Sequence, residues 1–312
     1  MSEVGLGSRK QTGRPLLGYG MVVLGSVLFA VNGVVAKVIL VSGVTSLRLT
    51  ELRSTGAALG LGLVVALLRP GRLRIARREL VHLAMFGCAV ASVQLFYFLA
   101  IRRLDLGVAL LLQYTGPLLI ALWARFFARE PVRRRIWYAL ALALVGLSLV
   151  VDVWRGFSLD GLGVSFALLA ALAYAFYVLL AERGLGERDP LSLLAWGFAL
   201  SSLLWALTQP WWSFPVELVA RDVSLLGRLG EVQLPMWALL CWFVVLGTMA
   251  PFMLVVGALR HLPATSVAIT AMVEPVAGGV AAYAWLGETL GVAQLAGCAI
   301  VLVAIFLAQT AR

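Results

Sequence analysis

Ten stretches of this chain are apolar for long enough to cross a lipid bilayer, and nothing else in the sequence constrains the fold as strongly. They run over about Leu16–Leu40, Val44–Leu68, Leu80–Ile101, Leu106–Phe127, Ile136–Val153, Gly161–Ala181, Leu191–Gln209, Met236–Leu259, Pro263–Leu286 and Gly291–Gln309. A spanning helix needs roughly 20 predominantly apolar residues, and in hydrocarbon only helices and closed barrels satisfy their own backbone. Ten such runs in 312 residues leave short connections and no room for a separate soluble domain. The composition agrees, at 62% hydrophobic and 13% charged against about 45–50% and about 25% in soluble domains. An all-α integral membrane protein with ten transmembrane helices is expected, and a water-soluble enzyme is excluded.

The net charge of +10 would point to nucleic acid in a soluble chain. Here the location of the positive residues explains it, and no nucleic-acid partner is expected. Short cytoplasmic loops collect Lys and Arg, and one set of alternate loops holds Arg69, Arg72, Arg74, Arg77, Arg78 and Arg125, Arg129, Arg133, Arg134, Arg135. The opposite set holds only Arg102, Arg103, Arg155, Arg221 and Arg228. Both termini are therefore expected in the cytoplasm, with residues 1–15 as a basic tail and the basic loops in reach of anionic membrane lipid. The tail lacks a short apolar core with a cleavage site, so the first apolar run is expected to stay as a helix. One long connection, Pro210–Pro235, carries Trp211, Trp212 and Phe214 before mixed charges. It reads as an interfacial anchor, with a gate as the other reading.

Laid on itself with an offset of 158 residues, the chain repeats. Ala100-Ile101-Arg102-Arg103-Leu104 falls on Ala258-Leu259-Arg260-His261-Leu262, Pro117 on Pro275, and Glu130 on Glu288. A weaker match pairs Leu28-Phe29-Ala30 and Lys37 with Ala173-Tyr174-Ala175 and Glu182. The halves are residues 16–153 and 161–309, five helices each. Five is odd, so the second half enters the membrane in the opposite sense, as in secondary transporters whose site lies at the midplane between inverted repeats.

Ten helices, the five-plus-five duplication, the Ala-Ile/Leu-Arg-x-Leu ends of helices 3 and 8, Glu274-Pro275 and Gly287-Glu288 resemble the EamA family of the drug/metabolite transporter superfamily. The resemblance covers nearly the whole chain. It implies export of amino acids or other small metabolites, or exchange of nucleotide sugars or phosphorylated sugars. The first half departs from the pattern, with Gly116-Pro117 where the second has Glu274-Pro275.

Charges inside hydrocarbon cost roughly 2.5–3.5 kcal/mol on insertion scales, so each must face protein or water. Glu274 lies roughly 18 Å into helix 9, and Pro275 deprives the Ala271 carbonyl of its donor. A midplane carboxylate at a helix break suits substrate binding or proton coupling; holding the kink is the other reading. In helix 2, Arg48 and Glu51 are three apart and can pair. Arg53 faces away from Glu51 and needs another partner, either Glu274 or a substrate carboxylate. These four are the candidate coupling and gating residues.

Candidate substrate-binding residues are Asn32, Gln94, Tyr97, Gln113, Tyr114, Tyr174, Tyr177, Thr248 and Thr270 together with Glu274, and Ser26 is a further polar residue of helix 1. Each is also ordinary interhelical hydrogen-bond material. Gly25, Gly33, Gly56, Gly60 and Gly62 are expected to allow close helix packing, and Lys37 and Arg125 to snorkel to the interface. Cys88, Cys241 and Cys298 read as packing residues. No Walker motif, His-Glu-x-x-His or ligand cluster occurs, so no ATP-driven pump, metal or cofactor is expected. The expectation is a multi-pass plasma-membrane exporter of small metabolites, amino acids foremost, working by alternating access with or without proton coupling. Its alternatives are a nucleotide-sugar or phosphorylated-metabolite exchanger, a channel or scramblase, and an intramembrane enzyme using Glu274 or Asp105.

Overall fold

The computed structural model describes residues 14–104, 106–151, 160–289 and 291–310. Most of the expected tail, Asp105 and Arg155 lie outside the described residues. The helices are α1 Pro15–Val41, α2 Ser46–Leu68, α3 Leu80–Ile101, α4 Leu106–Gln113, α5 Gly116–Phe126, α6 Arg134–Val150, α7 Gly161–Gly184 and α8 Pro190–Ala206. They continue as α9 Met236–Val244, α10 Ala250–Ala258, α11 Ala264–Ala271, α12 Glu274–Ala281 and α13 Val292–Gln309. A two-stranded antiparallel ribbon, β1 Asp222–Ser224 and β2 Gln233–Pro235, pairs Val223 with Leu234.

Eight helical segments among the described residues are long and apolar enough to cross a membrane. The α6 and α8 runs form helices of 17 residues each, at the lower end of the roughly 17–25 that spanning takes. Pro190 at the first helical position and an Asp189 side chain accepting from Ser192 N at 3.2 Å fix where α8 starts. Asp160 does the same for α7 by accepting from Leu162 N at 3.0 Å. The Arg103 guanidinium, 2.8 Å away, holds the Asp160 carboxyl below its usual range.

Three helices are interrupted at prolines. Pro117 and Pro275 each lack an N–H, so α4 ends at Gln113 and α11 at Ala271, four residues before the ring in each case. Pro251 frees the Gly247 carbonyl in the same way. The chain there widens into a π-turn over Val245–Met249, Asn32 Nδ2 donates to Gly247 O at 3.0 Å, and Thr248 Oγ1 donates back to Phe243 O at 2.8 Å.

The helices pair across the two halves: α1 on α10 and α12, α3 on α7 and α8, α2 on α8, and α6 on α13. Small residues let them approach. Gly146 and Gly297 face each other's backbone where α6 crosses α13, with no space for a side chain. Gly25, Gly56 and Gly60 likewise sit against Val255, Val244 and Met249, whereas Gly33 and Gly62 have open space beside them and make no such contact. Cys88 and Cys241 are exposed on the outer surface and Cys298 is half-buried, so the first two do not pack the core; on a lipid-facing helix surface an apolar thiol needs no burial.

At one end of the bundle the Pro210–Pro235 connection folds down onto the helices. Leu218, Val219, Val223, Leu225 and Leu226 join Val35, Val38, Ile39, Leu49 and Met236 in one apolar cluster. Trp211 Nε1 donates to Thr55 Oγ1 at 3.1 Å, Trp285 Nε1 to Leu225 O at 2.8 Å, and Arg48 to Pro210 O at 2.9 Å. Trp212 is 85% exposed at this end.

Replacing Gly297 with Leu should force α6 and α13 apart and abolish a monodisperse folded species in detergent, while Gly62→Ala should leave the melting temperature unchanged. Asn32→Ala should strand a buried carbonyl, a loss of about 1–3 kcal/mol, read as a drop of several degrees in the melting temperature.

Candidate functional site

Eight helical segments line a partly open cavity of about 170 Å³ in the middle of the bundle. Its wall consists of Ser26 and Phe29 from α1, Arg53 from α2, Val90, Val93 and Gln94 from α3, Gln113 from α4, Tyr174 and Tyr177 from α7, Phe252 and Val255 from α10, and Ala271 and Glu274 from the break between α11 and α12. The volume slightly exceeds the roughly 150 Å³ that accommodates benzene in an engineered protein cavity, which suits a solute the size of a small amino acid.

One side is aromatic. Phe252 meets Phe29 edge-on at 5.2 Å, Tyr177 at 5.9 Å and Phe198 at 4.9 Å, and Tyr177 stacks on Phe86 at 5.7 Å. These rings hold one another in place and leave the Tyr174 and Tyr177 rings as walls. The other side is polar. Arg53 and Glu274 carry opposite charges into the same space, Tyr114 and Arg53 are near enough to the carboxylate to interact with it, and Tyr97 lies beside the pair. The Arg53 guanidinium also lies over the Phe243 ring at 4.9 Å, a cation–π contact that positions it without using its donors.

Three lining residues have a buried polar atom without a partner: Ser26 Oγ, Gln94 Oε1 and Arg53 Nε. Buried polar groups are normally paired. All three belong to residues that line this one cavity, and none is hydrogen-bonded within the protein.

The structure therefore gathers Gln94, Gln113, Tyr174, Tyr177, Arg53 and Glu274 around one cavity, with Tyr97 and Tyr114 beside them. It sends the rest of the sequence candidates elsewhere. Asn32 and Thr248 serve the backbone opened by Pro251. Thr270 is buried one turn before Glu274 and is not in the wall. Arg48 binds Glu51 at 2.9 Å and the Pro210 carbonyl, at the end covered by the long connection. Lys37 reaches Glu288 Oε1 at 2.6 Å, both about half exposed. Phe29, Val90, Val93, Phe252, Val255 and Ala271 line the cavity without any polar signal in the sequence. For Phe29 a signal existed, since the repeat aligns it with Tyr174. Among the described residues no group of three His, Cys, Asp or Glu is placed to hold a metal ion.

Comparison with known proteins fits this geometry. The EamA-like transporter family model matches residues 16–152 and 161–310. Threonine/homoserine exporter RhtA of Salmonella typhimurium (strain LT2) is 31% identical over 264 residues, 83% of this chain and 79% of that one. The RhtA of Escherichia coli (strain K12) is 30% identical, over 81% and 76%. The pseudopaline exporter CntI of Pseudomonas aeruginosa (strain UCBPP-PA14) is 25% identical, over 69% and 73%. A solved crystal structure only 18% identical superimposes with a TM-score of 0.73 over 95% of this chain and 96% of its own, which shows a shared fold. The chain belongs to the EamA-like transporter family and is a multi-pass protein of the cell's inner membrane.

Proposed function

We propose that this protein is a secondary exporter of amino acids and related small metabolites, working by alternating access about the Arg53–Glu274 cavity. The observation that carries this reading is the pair of opposite charges facing one small mid-bundle cavity at a broken helix. Export of a small solute also follows the relatives, named as exporters of threonine and homoserine and of pseudopaline. A nucleotide-sugar or phosphorylated substrate fits less well: the cavity is small, and among the described residues a single arginine and no lysine lines it.

In this reading the ten helical runs all span, in two inverted halves of residues 16–153 and 161–309 with both termini cytoplasmic. The helix pairings support it. If the first five helices correspond in order to the second five, α3 on α7 is the counterpart of α10 on α1, and α2 on α8 and α6 on α13 are each their own counterparts. Such pairings are those of a two-fold axis running through the cavity, and two halves of nearly equal energy can exchange inward and outward shapes. The excess of arginine in one set of loops supports the orientation and a contact with anionic lipid. Glu274 is the candidate proton carrier, a carboxylate facing the cavity where a proton gradient across the membrane acts.

Proteoliposomes holding purified protein and loaded with L-threonine should take up radiolabelled L-threonine by counterflow, and an imposed pH gradient should drive net accumulation. Glu274→Gln should lose the gradient-driven accumulation, and whatever counterflow it retains should not respond to the pH gradient. Accumulation that survives in Glu274→Gln removes the coupling role, and no amino-acid movement by the wild type removes the amino-acid reading.

A further inference from the structure

The polar wall of the cavity is divided by sign, and the division suggests how a substrate is read. Arg53 offers only donors, with its Nε buried and unpaired. Glu274 offers acceptors when ionised, and Gln94 Oε1 is a second acceptor, buried and without a partner. Ser26 Oγ, 1% exposed as a residue and also unpaired, can act either way. Resting on the amino-acid export reading above, we infer that the cavity recognises its substrate as a zwitterion, the α-carboxylate at Arg53 and the α-ammonium at Glu274 with Gln94.

The chemistry matches on both sides. A carboxylate is acceptor-only and a guanidinium donor-only, and charge-assisted hydrogen bonds between them are the strong ones. An ammonium brings three donors, and Glu274, Gln94 and Ser26 supply acceptors for it. Together the lining charges sum to zero, so the site holds a net-neutral molecule without burying an unpaired charge. An isolated anion would leave Glu274 unpaired and an isolated cation would leave Arg53 unpaired. The rest of the wall bounds the side chain. Phe29, Phe252 and Tyr177 brace one another edge to face, and the volume of about 170 Å³ suits one small amino acid.

The charge division is also one-sided with respect to the duplication. At the position matching Glu274 the first half has Gly116, and the Tyr174 ring lies where a side chain there would project. The carboxylate of the ammonium pole therefore has no counterpart in the first half, and a substrate has one orientation rather than two.

The test uses three labelled probes in the counterflow assay: L-threonine, L-threonine amide, which lacks the carboxylate, and N-acetyl-L-threonine, which lacks the ammonium. Wild type should prefer the free amino acid to either blocked form by roughly tenfold or more, the scale of a lost hydrogen bond to a charged group. Arg53→Gln should lose the preference over the amide and keep that over the N-acetyl form. Glu274→Gln should do the reverse, and Arg53→Lys should restore part of the first preference. Each is a ratio within one preparation, so partial misfolding does not change it. Wild type that moves threonine with no preference overturns zwitterion recognition and leaves the exporter reading standing, as do variants whose ratios stay at the wild-type values. Wild type that moves none of the probes overturns both.

Discussion

Hydrocarbon offers no hydrogen bonds, so every polar atom that the sequence places inside the membrane must find its partner within the protein, and the architecture around the cavity follows from how three prolines meet that demand. Pro117, Pro251 and Pro275 each remove a backbone donor from a helix interior. At the first break Thr115 Oγ1 donates to Leu112 O at 2.6 Å, next to the Gln113 carbonyl that Pro117 frees. At the second, Asn32 crosses from α1 to supply the donor that Pro251 lacks. At the third, Ala271 and Glu274 both face the cavity. The second break is thus closed by another helix, and the one that bears a carboxylate borders the cavity.

The two halves share a scaffold but not its chemistry. Pro117 and Pro275 fall at matching positions and interrupt matching helices, so the shape of the break belongs to the repeat. The charge does not, because the residue before the proline is Gly116 in one half and Glu274 in the other. Phe29 and Tyr174 also match, and both line the cavity. In the proposed mechanism a near-symmetric frame allows two conformations of similar energy, while the unequal residues orient the solute.

How far this was legible in the sequence depends on the cost of the residue concerned. Glu274 and Arg53 stood out because a charge in an apolar run is expensive enough to demand a reason, and the fold brings them together from helices that no spacing rule could pair. Gln94, Tyr174 and Tyr177 were visible for the same reason at lower cost. Asn32 and Thr248 looked identical to them in sequence yet serve the backbone, since the need they meet is created by Pro251 on a distant helix. The apolar lining was invisible, because Val90 or Phe252 at a cavity wall and at a helix contact present the same residue type. The ribbon within Pro210–Pro235 carries no sequence signal either; its strands are three residues long, too short for alternation to register.

The connection between cavity and membrane face runs through the same elements. α12 begins with Glu274 and continues into the π-turn Ala282–Leu286, where Trp285 binds the Leu225 carbonyl, Tyr283 lies under Arg228 at 4.8 Å, and Glu288 follows to meet Lys37 on α1. α1 in turn carries Ser26 and Phe29 into the cavity wall. In the proposed alternating-access reading, both sides of this contact are extensions of helices that line the cavity, and a shift of either helix displaces it. The ties are individually weak. An exposed ion pair is worth about 0–1 kcal/mol, an exposed cation–π contact about 0.5–1 kcal/mol, and a neutral hydrogen bond about 1 kcal/mol. Their sum is a few kcal/mol, within the differential affinity by which a bound solute can shift a two-state equilibrium.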